Sequence, residues 1–354
     1  MAKSHIGHND VLSMTAQELG QLVEQEGQPA FRGQQLFEWL WRHEASSYEE
    51  IRVWPKAFRE KMAEKYPFHR LRMVENQLAH DGTTKLLLEM ADKQRVETVL
   101  LPHRFGYSVC ISSQVGCAMG CKFCASGLLG RVRQLSAGEM VDQVAFGNRV
   151  LADRQAKVSR VDIMGIGEPL DNLEALMRFL DLVHDPKGLN LSYRHITVST
   201  SGLVPAIKRL ADSGKPVTLA VSLHAPNDDL RLSLMPVNKA FPLDKLIPMS
   251  RYYAEKTGRR VTFEYLLLND VNDGEKEAHE LGRLIGGFGA HVNLIPWNPV
   301  AEHPFQPSPK EHVRRFQSIV QEYGISCTIR RELGQEIDAA CGQLRLRGEE
   351  PVSP

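Results

Sequence analysis

The chain has 354 residues with 43 basic and 43 acidic side chains, a formal charge of zero, so composition alone gives no warrant for a polyanionic partner. Hydrophobic residues make up 42% and charged residues 24%, and no apolar run approaches the roughly 18 residues of a membrane helix, so a soluble globular protein is expected, with no membrane partner. Six cysteines do not form a disulfide framework in a chain of this size, and "MAKSHIGHNDVLSM" carries no secretory or import pattern; a cytoplasmic protein with metal-binding or catalytic thiols is expected.

Residues 1–72 read as a small helical domain. "SMTAQELGQLVEQEG" opens on Ser/Thr cap candidates, has Glu18 in its first turn and stops at Gly27. "FRGQQLFEWLWRHEA" then spaces Phe31, Leu36, Trp39, Leu40 and Trp41 as one broad apolar face, read as core, with RNA stacking as the alternative. Residues 73–104 read as a β connector, with "TKLLLEM" and "VETVLL" separated by turn signals at Asp81-Gly82 and Asp92-Lys93.

Residues 105–345 alternate β-like runs with helical stretches. The runs "YSVCISS", "RVDIMG", "RHITVST", "VTLAVSLH", "RVTFEYLLL" and "HVNLIP" predict an α/β fold, a partial (β/α)6 barrel with a parallel sheet. Residues 346–354 read as a disordered tail. In such a barrel the chemistry collects at the C-terminal strand ends, where Cys117 to Cys124, Gly165 to Pro169, Ser199 to Gly202, Ser222 to His224 and Asn298 all fall.

The densest signal is "VGCAMGCKFCASG", which puts Cys117, Cys121 and Cys124 in a C-x3-C-x2-C pattern. It is not the paired knuckle of a zinc ribbon, although a zinc site or free thiols stay open as alternatives. Three thiolates on a [4Fe-4S] cluster leave one iron free to bind a cofactor or substrate. Gly116 and Gly120 let the loop curl, and Phe123 can shield the cluster. Residues 98–138 contain no Asp or Glu but include Arg104, Lys122, Arg131 and Arg133, a locally positive stretch suited to a polyanion unless the gap is chance.

These motifs resemble the radical S-adenosylmethionine (SAM) superfamily. Taken together, "CISSQVGCAMGCKFCASG", "MGIGEPLDN", "VSTSG", "SLHAPND", "MPVN", "VNLIPWNP" and "IDAACGQL" resemble the RlmN/Cfr family of RNA adenine methyltransferases, over residues 31–344. "GEP" and "GCAMGC" are more similar to the branch that methylates adenine C2 than to the C8 branch linked to antibiotic resistance. The resemblance implies one three-Cys [4Fe-4S] cluster, two SAM molecules per turnover and an external flavodoxin-like electron donor. It also implies 23S rRNA and tRNA as substrates, and the chain is expected to be a monomer.

By the same resemblance, Cys341 accepts a methyl group from one SAM. Radical chemistry from a second SAM then activates that methyl group for addition to C2, a carbon unsuited to polar methyl transfer. Cys110 would help remove the C2 proton and pair with Cys341 in a disulfide as product leaves; Glu97 would accept the proton. Gly167, Glu168, Ser199, Ser222, Leu223, His224 and Asn298 would contact SAM. The plain alternatives are a buried strand cysteine for Cys110, a solvated strand face for Glu97, which is the usual case without the resemblance, and helix caps for Ser222 and His224. Arg131, Arg133, Arg330 and Arg331 are candidate phosphate contacts or ordinary solvated arginines, and Cys327 reads as core. A radical SAM enzyme on a non-RNA substrate and a metal-dependent RNA-binding module are the rival readings.

Overall fold

A computed structural model describes residues 10–128, 130–300, 302–331, 333–338 and 343–344. The predicted tail therefore lies outside the described residues. Thr15 caps α1 (Ala16–Gln25): its hydroxyl accepts from the Glu18 amide at 3.2 Å, and the Glu18 carboxylate accepts from the Thr15 amide at 2.8 Å. Helices α2 (Phe31–Trp41) and α3 (Lys56–Lys65) complete the helical unit. Leu36, Leu40 and Trp41 are buried as the apolar face predicts, whereas Phe31 at its start is exposed.

Strands β1 (Arg72–Leu78), β2 (Thr84–Glu89) and β3 (Arg95–His103) pair antiparallel, and β3 pairs antiparallel with β4 (Gly106–Cys110). The segment read as a connector thus continues the main sheet. A two-stranded ribbon, β5 (Gln114–Gly116) and β6 (Arg131–Gln134), brackets the cysteine loop. Then come α4 (Ala137–Ala152), β7 (Val158–Ile163), α5 (Leu173–His184), β8 (Ile196–Thr200), α6 (Val204–Asp212) and β9 (Thr218–Ser222). Helices α7 (Asp228–Leu234) and α8 (Leu243–Thr257), β10 (Thr262–Leu267), α9 (Glu275–Ile285), β11 (His291–Pro296), α10 (Lys310–Glu322) and β12 (Ser326–Ile329) follow.

The main sheet has ten strands in the order β1-β2-β3-β4-β7-β8-β9-β10-β11-β12, parallel from β4 onward. The six predicted runs are β4 and β7 to β11, a partial barrel as expected. β12 is a seventh parallel strand that the sequence reading passed over. It has four residues, of which only Cys327 is buried, so no alternation shows in the sequence. Register aligns the strand ends: Cys110 sits opposite Val99 and Asp162, Ser199 opposite Ala220, and Ser222 opposite Glu264.

One apolar core runs from the N-terminal helices into the barrel. Arg70 crosses this junction, donating to Asp142 Oδ1 on α4 at 2.9 Å and to the carbonyls of Ala45 and Leu40. The other Asp142 oxygen accepts from the Leu71 amide at 2.7 Å, and both side chains of the ion pair are buried. Asp142→Ala would strand the Arg70 guanidinium and is expected to cost about 3–5 kcal/mol. Urea unfolding of the full chain checks this; an unchanged midpoint would contradict the role given to the pair.

Candidate active site

The ribbon pins the cysteine loop at its base. The Cys117 amide donates to the Gly130 carbonyl at 3.0 Å, and Gly116 has φ of +71°; a Cβ there would stand 1.9 Å from the Gly130 carbonyl oxygen. Only glycine fits that crossing. Beneath the loop, Phe123, Leu234, Met235, Leu266, Ile295 and Trp297 form a second apolar cluster. The Trp297 indole donates to the Phe123 carbonyl at 3.3 Å, and the Phe123 ring meets the His224 ring edge-on at 4.8 Å.

Cys117, Cys121 and Cys124 line a chamber of about 160 Å³ with Gly165, Gly167, Glu168, Ser199, Ser222 and His224. Residues from the ends of β7, β8 and β9 therefore meet the cysteine loop, as the motif positions predict. Gly167 has φ of +112°, and a Cβ there would lie 2.7 Å from the Gln114 side chain. Glu168 is buried; its carboxylate accepts from the Ser201 amide at 2.7 Å and the Leu170 amide at 3.1 Å, yet burial still raises its pKa. A buried carboxylate held by amides is suited to a cationic ligand. His224 adopts φ of +56°, its Nδ1 accepts from the Leu266 amide at 3.0 Å, and burial beside Arg231 lowers its pKa to about 3. It is neutral at pH 7, with the ring fixed in place.

A second chamber of about 520 Å³ opens beside the first. Cys110, Asp162, Asn298 and Arg331 line it, and Met164, Ile295 and Arg330 face both chambers. Cys110 and Asp162 are neighbours across the β4 and β7 pair.

Comparison with known proteins fits this geometry. Residues 111–282 match the Radical SAM superfamily, and residues 9–67 match the family described as the ribosomal RNA large subunit methyltransferase N-terminal domain. A probable dual-specificity RNA methyltransferase RlmN from Symbiobacterium thermophilum is 48% identical, over 98% of this chain and 94% of that one. The chain belongs to the RlmN family. Its counterpart from Geobacillus kaustophilus is also 48% identical, over 95% of this chain and 92% of the relative. A solved radical SAM methyltransferase from Sphaerobacter thermophilus superposes with a TM-score of 0.92 at 45% identity, covering 95% of this chain and 99% of that one. The protein is thus a radical SAM enzyme of the methyltransferase class, and its superfamily implies an iron-sulfur cluster and SAM.

The donor set fits those groups. Cys117, Cys121 and Cys124 stand on one loop and line one chamber, the three-thiol donor set that would hold a [4Fe-4S] cluster with one iron left open. Burial pushes the Cys117 thiol up to about 11 and also raises Cys121 and Cys124, so thiolates there need a cationic centre.

Other predicted residues are placed differently. Cys341 lies outside the described residues; nearby in sequence, the Asp338 carbonyl accepts from Lys85 at 3.5 Å, and Leu344 packs with Val99 and Cys110. Glu97 is buried and paired with Lys85 at 3.2 Å, two residues along β3 from the position opposite Cys110, and does not line the larger chamber. Leu223 is fully buried; its amide donates to the Glu264 carbonyl and its own carbonyl accepts from Arg231.

The positive stretch acquires partners from outside it. Arg131 pairs with Asp171, and Arg133 with Asp92 at 2.6 Å and Glu139 at 2.7 Å. Those hydrogen bonds outweigh burial and raise the Arg133 pKa. The excess of charge expected at residues 98–138 is therefore compensated around these two arginines, because Asp92 and Asp171, distant in sequence, and Glu139, just past the stretch, fold onto them.

Sequence reasoning missed Arg231, Glu264 and Asp162. A fully buried arginine leaves no local signal. Glu264 and Asp162 had one, being acidic residues inside the apolar runs "RVTFEYLLL" and "RVDIMG".

Proposed function

We propose that the chain methylates C2 of an adenine in RNA, in the peptidyl-transferase region of 23S rRNA and beside the anticodon of tRNA. The observation that carries this reading is the common wall of Met164, Ile295 and Arg330, which makes the thiol-lined chamber contiguous with the chamber holding Cys110. The relatives' names as dual-specificity RNA methyltransferases support RNA as substrate.

Cys117, Cys121 and Cys124 would hold a [4Fe-4S] cluster, with a flavodoxin-like protein as external electron donor. When bound, cluster and SAM supply one-electron chemistry able to break an unactivated C–H bond. Gly167, whose lack of a side chain lets the turn pack against Gln114 and Ser113, would present its backbone to SAM at the chamber wall, and the Glu168 carboxylate would meet the ammonium. Ser199, Ser222, His224 and Asn298 orient the rest. Cys341 carries the methyl group to C2, Cys110 assists loss of the C2 proton, and Glu97, held by Lys85, is its acceptor. Attack of the Cys110 thiolate on the Cys341 sulfur would break the S–C bond to the RNA, whose carbon takes a proton to become the methyl group, and would leave a Cys110–Cys341 disulfide for the external reductant to reopen.

Nucleoside mass spectrometry tests this reading, on rRNA and tRNA lacking the modification, after anaerobic incubation with reconstituted protein, reductant and labelled SAM. Labelled 2-methyladenosine is expected. Appearance of 8-methyladenosine instead would move the chain to the C8 branch, and 5′-deoxyadenosine without methylated RNA would point to another substrate. With Cys110→Ala, a covalent RNA-protein adduct is expected to accumulate on denaturing gels; parent-like turnover with no adduct would remove Cys110 from the mechanism.

A further inference from the structure

The hairpin between β3 and β4 carries an aromatic residue that no part of the core uses. Phe105 is 59% exposed and belongs to none of the apolar clusters. Its ring lies nearly parallel to that of His103, with centroids 4.8 Å apart and planes 6° from parallel. His103 is held in turn by a 2.9 Å hydrogen bond between its Nε2 and Ser108 Oγ. The Arg160 guanidinium, on an exposed residue of β7, lies 4.6 Å from the Phe105 ring centroid. A planar group already occupies the position a stacked base would take.

An exposed phenylalanine by itself is unremarked in folded proteins. Here two independent features give it a use. His103, Arg104 and Phe105 line the chamber that holds Cys110, so the hairpin forms part of its wall. Among the described residues, the charged groups facing that chamber are Arg104, Arg330 and Arg331 against one carboxylate, Asp162. Burial, with Arg160, Arg330 and Arg331 nearby, outweighs Asp162 and lowers the His103 pKa, so the ring under Phe105 is neutral at pH 7. An aromatic shelf flanked by guanidinium groups suits single-stranded nucleic acid, whose bases stack and whose phosphates need cations. The names of the relatives as RNA methyltransferases favour RNA over an acidic protein as the partner.

We propose that Phe105, backed by His103, is a stacking platform for an unpaired nucleobase next to the adenine that enters the Cys110 chamber, with Arg104, Arg160 and Arg331 meeting the adjoining phosphates. This rests on RNA being the substrate. Arg160 leaves the ring for a phosphate as the base takes its place. The platform fixes the register of the strand by shape and stacking, which tolerates different bases and suits an enzyme acting on more than one RNA.

The test uses the full-length reconstituted protein and an RNA stem-loop containing the target adenosine, with 2-aminopurine placed in turn at each flanking unpaired position. In the parent protein, fluorescence at one position is expected to be quenched on binding. Phe105→Ala is expected to weaken binding roughly 5- to 150-fold and abolish that quenching, while Phe105→Trp keeps both. An abasic nucleotide at the quenched position should weaken parent binding equally and add no further loss to Phe105→Ala, whose thermal midpoint reports that the hairpin change leaves it folded. Parent-like affinity in Phe105→Ala, with the parent binding RNA, would overturn the platform and leave the RNA reading intact. Failure of the parent to bind any target RNA would overturn both.

Discussion

Cys124→Ala protein, reconstituted anaerobically with iron and sulfide, is expected to stay colourless and to form no more 5′-deoxyadenosine from SAM than a protein-free control. Cys124 is half-buried, packed against the apolar floor of the loop that holds Phe123 and Trp297, and desolvation raises its thiol pKa. The other two sulfurs would then bind only two irons of a cluster, and they lie in a chamber that disfavours uncompensated thiolate. Cys327→Ala is the matched control. That thiol is buried on β12 and lines neither chamber, so its loss is expected to leave colour and iron content unchanged. Brown Cys124→Ala protein with parental iron would remove this cysteine from the ligand set. A colourless parent with stoichiometric zinc would replace the cluster altogether.

Arg231→Met is expected to be the most damaging single change outside the loop. The guanidinium is fully buried and donates to the carbonyls of Leu223 at 3.1 Å, Ser222 at 3.1 Å and Ser201 at 2.6 Å, and to Asn238 Oδ1 at 2.7 Å. The three carbonyls lie at or just beyond the ends of β8 and β9, where Ser201 also holds Glu168, and Asn238 lies in the turn after α7. Each buried acceptor left without a donor costs on the order of 1–3 kcal/mol, and partial repacking keeps the total near 3–5 kcal/mol. Burial lowers the Arg231 pKa only to about 10, so the group is charged at pH 7 and adds positive potential near Cys121. Arg231→Met should therefore lower the urea midpoint and weaken SAM binding together. Arg231→Lys keeps the charge but loses the planar fork, and an intermediate result is expected. Parental midpoints and SAM affinity in both variants would show that the strand ends hold their shape without this hub.

Much of the site was legible because its signals are local. The cysteine spacing, the glycine-rich turn after β7 and the polar residues closing each apolar run are read within a few residues, and strand direction then carries them to one rim. The capping box at Thr15 and Glu18 is equally short-range and formed as expected. Beyond local signals, the order of whole motifs along the chain pointed to the family.

What the sequence by itself determined, then, was the alternation that builds a partial barrel, the thiol loop, and which strand ends meet that loop. Tertiary structure alone decided which charges stay uncompensated. Arg133 is paired with Asp92, 41 residues away, and Glu97 with Lys85 across two strands, while Arg104 faces a chamber whose lining, among the described residues, holds one carboxylate. It also decided that β12 joins the sheet, that Arg231 is interior, and that Cys110 faces a cavity contiguous with the thiol chamber. The reason is physical. Periodicity, capping and ligand spacing act between neighbours along the chain, whereas ion pairing, burial and cavity shape depend on distances that exist only once the sheet has closed around its core.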